Sequence, residues 1–173
     1  MKRVMIVGFS GSGKSTMASK IAEAIGVSAT HLDAVHWLPN WTENTVENEI
    51  YTLRPVLERE SWVIDGNYRK VLFKERMALA DTVIFLDINR FQRLYRVFRR
   101  YFKYRGGCRP DIGEGCREKI DFEFVKWVLY KGVNRKRYME ILEDLKGAHP
   151  EKQIYILKGS GQVRDFMKKS RLS

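Results

Sequence analysis

Short apolar runs without alternation punctuate the chain at Arg3–Val7, Ala29–Leu32, Trp62–Asp65, Thr82–Leu86 and Gln153–Leu157. Runs of this length predict strands covered on both faces, as in a parallel sheet. Between them lie longer stretches with helical spacing: Lys14–Ile25, closed by Gly26, then Thr45–Arg59, Arg69–Leu79, Arg90–Tyr104, Glu118–Lys146 and Val163–Lys169. Strands alternating with helices predict an α/β architecture with helices on both faces of the sheet. Thr42, Glu43 and Thr45 supply capping chemistry before the second helix, and Gly147 suits the stop of the fifth. Gly106 to Gly115 holds four glycines and Pro110, which predicts a loop. With no internal repeat or linker, residues 1–173 are expected to form a single domain with one insertion, a length sufficient for a proper core.

Charge divides the chain. Residues 1–88 carry 10 basic and 11 acidic side chains, residues 89–173 carry 22 and 10, and the whole has a net charge of +11. Eight basic residues and no acid fall between Arg90 and Arg109. Such a block calls for a polyanionic partner, whether nucleic acid, anionic lipid or a phosphorylated small molecule. No stretch approaches 18 apolar residues, so no membrane span is expected. The basic start Met1-Lys2-Arg3 is followed by an apolar run that breaks at Gly8, too short for a signal peptide. Two cysteines cannot make a disulfide framework, so the reading is a reduced, cytoplasmic protein with free thiols.

Residues Gly8-Phe9-Ser10-Gly11-Ser12-Gly13-Lys14-Ser15-Thr16 fit G-x-x-x-x-G-K-[ST] and lie between a predicted strand and a predicted helix. The glycines let successive backbone N–H groups turn toward a phosphate, and the helix presents its positive end. Lys14 adds a point charge for the β and γ phosphates, and the Ser15 hydroxyl is placed to ligate Mg²⁺. A nucleoside triphosphate, taken to be ATP, is the ligand this motif predicts. Two strands end in aspartate, at Asp65 and Asp87, and either can hold the magnesium shell. Asp87 also reads as a cap for the helix that follows.

The run Asp65-Gly66-Asn67-Tyr68-Arg69 resembles the Asp-Gly-x-x-Arg that ends the third strand of nucleoside monophosphate kinases. That resemblance implies that Asp65 orients metal-bound water and that Arg69 reaches toward the acceptor. His31-Leu32-Asp33-Ala34-Val35-His36-Trp37 looks like the acceptor-positioning segment of adenylate, shikimate and gluconate kinases. A carboxylate there can take the proton of an acceptor hydroxyl, which makes Asp33 the candidate base. His36 stands where adenylate kinases carry an arginine that grips a monophosphate, a departure that favours a hydroxyl-bearing acceptor. Trp37 and Trp41 can wall the acceptor pocket.

Arg93, Arg96, Arg100 and Lys103 recur at three- and four-residue spacing and form one stripe, with Phe91, Leu94, Tyr95, Phe98 and Phe102 facing elsewhere. In nucleoside monophosphate kinases, two arginines one turn apart on the helix leading into the lid stack on adenine and contact phosphate. Arg96 and Arg100 match that spacing, with Arg96 as the base-stacking residue. Arg109 and Arg117, in a lid of about 105–117, would stabilise charge on the transferring phosphoryl group. Cys108 and Cys116 lie in the same segment, two thiols where a lid zinc site would need four ligands. Across His31–Trp37, Ser61–Tyr68, Tyr104–Cys116 and Asp121–Phe124 the chain resembles the bacterial DNA topology modulation proteins, relatives of adenylate kinase. The resemblance implies a P-loop NTPase three-layer fold, with a five-stranded parallel sheet in the order 2-3-1-4-5 and a lid insertion. It implies an ATP- and Mg²⁺-dependent kinase acting on a small hydroxyl-bearing molecule, a nucleoside or a nucleotide. The basic residues 90–109 keep open a nucleic-acid-associated regulator that uses ATP as a switch, and a third reading is nucleotide binding without an acceptor.

Overall fold

The computed structural model describes residues 1–105, 107, 111–112, 115–116, 120–131 and 134–170. Five strands, β1 (Arg3–Gly8), β2 (Ala29–His31), β3 (Trp62–Asp65), β4 (Thr82–Asp87) and β5 (Gln153–Lys158), form one parallel sheet in the order β2-β3-β1-β4-β5. This is the expected order. The central strand β1 pairs Met5 with Ile64 of β3 and with Val83 of β4, so every residue of its middle is covered on both edges and both faces.

Alternation of side chains along β1 divides the core in two. Val4 and Ile6 pack with Met17, Ile21 and Phe166 under α1 (Lys14–Ala24) and α8 (Gly159–Lys169). Met5 and Val7 pack with Leu53, Leu57, Phe73 and Leu142. These come from α3 (Val46–Leu57), α4 (Phe73–Leu79) and α7 (Arg135–Ala148). Thr45 caps α3 as its sequence predicts, its Oγ1 accepting from the Asn48 N–H at 3.3 Å. Between β2 and α3, the short helix α2 (Leu32–His36) leads into an antiparallel ladder pairing Trp37–Leu38 with Thr42–Glu43.

Three expectations fail in instructive ways. The single helix expected over Glu118–Lys146 is instead α6 (Phe122–Lys126), a π-helical stretch Trp127–Lys131, and a separate α7. Asn134 starts α7 by accepting from the Arg137 N–H at 3.1 Å, a cap hidden inside what reads as continuous helical spacing. Helix α7 also runs through Gly147 and ends at Ala148, where Pro150 lies just beyond. Finally, Asp87 does not cap α5 (Arg90–Tyr104). Asn89 does, its Oδ1 accepting from the Phe91 N–H at 2.9 Å, while Asp87 pairs with Arg135 at 2.9 Å.

Helix α5 turns Arg93 and Val97 inward and leaves Phe91, Tyr95 and Phe102 about two-thirds exposed, at 70%, 67% and 68%. Its cationic face therefore meets the phosphate loop, and its aromatic face meets solvent. Among the described residues no helix is long and apolar enough to cross a membrane.

Candidate active site

The phosphate loop leaves β1 at Gly8 and enters α1 at Lys14. Gly8, at φ 146°, lies so close to β4 that a Cβ there would sit 2.7 Å from the Leu86 carbonyl. Gly11, at φ 73°, meets α5 in the same way, with the Arg93 carbonyl 2.7 Å from where its Cβ would be. Both positions thus need glycine for backbone conformation and for space. Asn67, at the exit of β3, clamps the loop's start: its Oδ1 accepts from the Gly8 N–H at 3.1 Å and its Nδ2 donates to the Gly8 carbonyl at 2.7 Å. Ser12 is buried, Thr16 is exposed on the first turn of α1, and the Lys14 Nζ donates to the Phe9 carbonyl at 3.0 Å. Burial lowers the Lys14 pKa, opposed by the charges of Asp33 and Asp65.

Asp65 is held from both sides. The Ser15 hydroxyl donates to its Oδ2 at 3.0 Å, and His31 Nδ1 lies 2.6 Å from its Oδ1. The second contact follows from sheet register, since His31 and Asp65 are direct partners at the ends of β2 and β3. Burial pulls the His31 pKa down, but the hydrogen bond and charge of Asp65 outweigh it and raise the pKa above the ordinary 6.5. A folded-state value above the unfolded one gives stability that is present below the unfolded pKa and lost as pH rises through the folded pKa. The stability advantage of wild type over His31→Asn should therefore shrink from about pH 6 to about pH 8. Denaturant midpoints at both pH values measure it, and a constant gap would mean that the charged pair contributes nothing.

Beside the loop opens a cavity of about 860 Å³. Lys14, Ser10 and Arg100 line it on the phosphate side, together with Asp33, His36 and Arg69. Asp33 accepts from the Tyr68 hydroxyl at 2.7 Å. Burial, and then the charge of Asp33, hold the Tyr68 pKa far above the ordinary 10, so the phenol remains a donor. His36 Nδ1 lies 2.6 Å from Oε1 of the buried Glu49, and the imidazole packs between Trp37 and Tyr68, with ring centroids 4.7 and 4.6 Å away. Trp37 meets Trp41 edge-on at 5.5 Å, and both line the cavity. Arg69 lies 5.6 Å from the ring centroids of both Phe73 and Tyr138.

The loop that carries these groups is shaped from below by Arg76, which is fully buried. Its guanidinium donates to the carbonyls of Val71, Gly66 and Tyr68 at 3.0, 3.1 and 2.7 Å. This network explains why the helix expected from Arg69 begins only at Phe73: residues 66–72 are held as a loop, and Leu72 takes a positive φ of 48°.

The remaining candidates divide. Arg96 reaches the phosphate loop, donating to the Ser12 carbonyl at 2.6 Å and to the Ser160 hydroxyl at 2.9 Å. Arg109, Arg117 and Cys108 lie outside the described residues. Of the segment 105–117, Ile112 lines the cavity and Cys116 is buried, with its thiol 3.2 Å from the Leu38 carbonyl it donates to. Five residues without a role in the sequence analysis hold the site together: His31, Glu49, Asn67, Tyr68 and Arg76. A usable signal exists for two of them. Glu49 precedes the buried Leu53 and Leu57 by four and eight residues, and Arg76 lies between Phe73 and Met77, so each is a charge on an otherwise apolar face.

No family model and no curated protein matches the chain. Among solved structures, it is similar to a shikimate kinase from Acinetobacter baumannii in complex with shikimate, at 16% identity and a TM-score of 0.56 over 99% of this chain and 91% of that one. It is also similar to a deoxyadenosine kinase from M. mycoides with bound dATP, at 16% identity and a TM-score of 0.47 over 99% and 100%. At 16% identity the likeness to the shikimate kinase is one of fold, and the α/β sheet with its helices matches a P-loop kinase fold.

Proposed function

We propose that the protein is an ATP- and Mg²⁺-dependent phosphotransferase whose acceptor is the hydroxyl of a small molecule, nucleoside or nucleotide. One observation carries the reading: the Asp33 carboxylate, fixed by Tyr68, shares a cavity with Lys14 of the phosphate loop. A pure nucleotide switch has no use for a second, aromatic-walled chamber beside its triphosphate. In this reading the triphosphate lies on Gly8 to Thr16 with Arg96 against the base, and Lys14 and Arg100 bear on the transferring phosphoryl group. Asp33 takes the proton as the acceptor oxygen attacks γ-phosphorus and the bond to the ADP oxygen breaks. His36 and Arg69 bind the acceptor. Ser15 and Asp65 present hard oxygen donors 3.0 Å apart beside the loop, which fits Mg²⁺. The ion, when bound, neutralises charge on the β and γ phosphate oxygens. In the same reading the lid of about 105–117 excludes water that would otherwise hydrolyse ATP, and its Arg109 and Arg117 stabilise charge on the transferring phosphoryl group. The protein would act as a single-domain enzyme in the cytoplasm, within the bacterial topology modulation group that its motifs resemble.

The test is acceptor-stimulated ADP release with Mg-ATP, screening pooled nucleosides, nucleotides, sugars and sugar acids, with Lys14→Ala as control. Stimulation by at least one pool that Lys14→Ala abolishes is the expected result. A second reading, nucleic-acid association through residues 90–109, is favoured by the exposed Phe91, Tyr95 and Phe102, since aromatic platforms among basic residues suit single strands. It predicts salt-sensitive DNA retention and no acceptor stimulation.

A further inference from the structure

A second cavity, of about 500 Å³, opens at the ends of β4 and β5 beside the first turn of α5. Three helices begin on its wall: α5 at Arg90, α7 at Arg135 and α8 at Gly159. Each presents the positive end of its dipole, and three such ends around one space make a field that favours an anion. The side chains reinforce it. Arg90, Arg93, Arg135 and Lys158 face a single lining carboxylate, Asp87, and Arg135 already takes that one at 2.9 Å.

Arg93 supplies the independent sign of a ligand. It lines the cavity, is 5% exposed, and its Nε and Nη1 have no hydrogen-bond partner. Its guanidinium stacks 4.1 Å above the Phe9 ring, which offsets part of the charge but leaves those N–H donors unused. A buried cation with idle donors, at the convergence of three helix starts, is unusual in a native protein unless something fills them. The apolar wall of Phe9, Ile88 and Leu129 leaves room for more than a bare ion.

We propose that this cavity is a phosphate-binding site for a phosphate-bearing small molecule, adjoining the nucleotide loop only through the Phe9 ring, with Arg93 at its floor and Arg90 and Lys158 at its rim. Neither the acceptor chemistry nor the triphosphate site uses these groups, so the proposal stands apart from the kinase reading.

The experiment is equilibrium dialysis of labelled orthophosphate against the full chain, with the nucleotide loop saturated by Mg²⁺ and a non-hydrolysable ATP analogue. One saturable equivalent is expected, weakened at least tenfold by Arg93→Leu and several-fold by Lys158→Gln. Lys158 is exposed, so its variant keeps the test valid if Arg93→Leu fails to fold. Competition by AMP or a sugar phosphate more tightly than by orthophosphate would identify an ester as the ligand, and equal or weaker competition the free ion. Displacement of phosphate in step with added analogue would overturn the proposal by making the cavity part of the nucleotide site. So would binding left intact in both variants, absence of any saturable binding, or retention of a single-stranded oligonucleotide in place of orthophosphate.

Discussion

Asp33→Asn is expected to bind Mg-ATP as tightly as wild type and to phosphorylate its acceptor about 10²- to 10⁴-fold more slowly, the usual contribution of a positioned general base. Asparagine isolates basicity from geometry. Its Oδ1 can still accept the Tyr68 hydroxyl that now lies 2.7 Å from Asp33, so the loop and the acceptor chamber keep their shape. Only the capacity to take a proton and the negative charge are lost. Titration of nucleotide affinity alongside kcat separates the two effects. A variant that keeps its full rate would remove Asp33 from the chemistry and leave it as a hydrogen-bonding loop residue.

Arg76→Met is expected to destabilise the fold by about 2–4 kcal/mol, a large effect for a single substitution. Three carbonyls lose their donor together, those of Val71 and Gly66 buried and that of Tyr68 half-buried. Against this, removal of a buried cation relieves a desolvation cost, which is why the expected loss is below the sum of three bonds. That cost is visible in the Arg76 pKa, which burial lowers to about 10, still charged at neutral pH. The loss should show in a lower urea midpoint and, because the same carbonyls shape residues 66–72, in a raised KM for the acceptor. An unchanged midpoint would mean that the loop holds its form without the guanidinium.

These two residues mark what was legible in the sequence and what was not. Asp33 stands in a local pattern, and so do Lys14, Ser15 and Asp65, because strand, turn and helix start are contiguous in the chain. The five strands read directly from unalternated apolar runs, and their order agrees with expectation. Glu49 and His31 act through partners across the chain or set by register, Glu49 on His36 and His31 on Asp65, and Arg76 through carbonyls of an irregular loop that has no periodicity of its own. Periodicity places such residues on a face but does not name what they meet. The same limit explains Asp87, which reads as the cap of α5 but pairs with Arg135, 48 residues away in the chain, while Asn89 makes the cap. It also explains the merged fifth helix, where the cap at Asn134 is a hydrogen bond and not a break in hydrophobic spacing.

The acceptor chamber beside the phosphate loop is the centre of the account, and the fate of the γ-phosphoryl group tests it most directly. With γ-labelled ATP, Mg²⁺ and the mixed acceptor pools, chromatography should recover label on an organic product, at a rate that Asp33→Asn lowers and Lys14→Ala abolishes. Label recovered solely as inorganic phosphate, at one rate with every pool and in the absence of any, would contradict it.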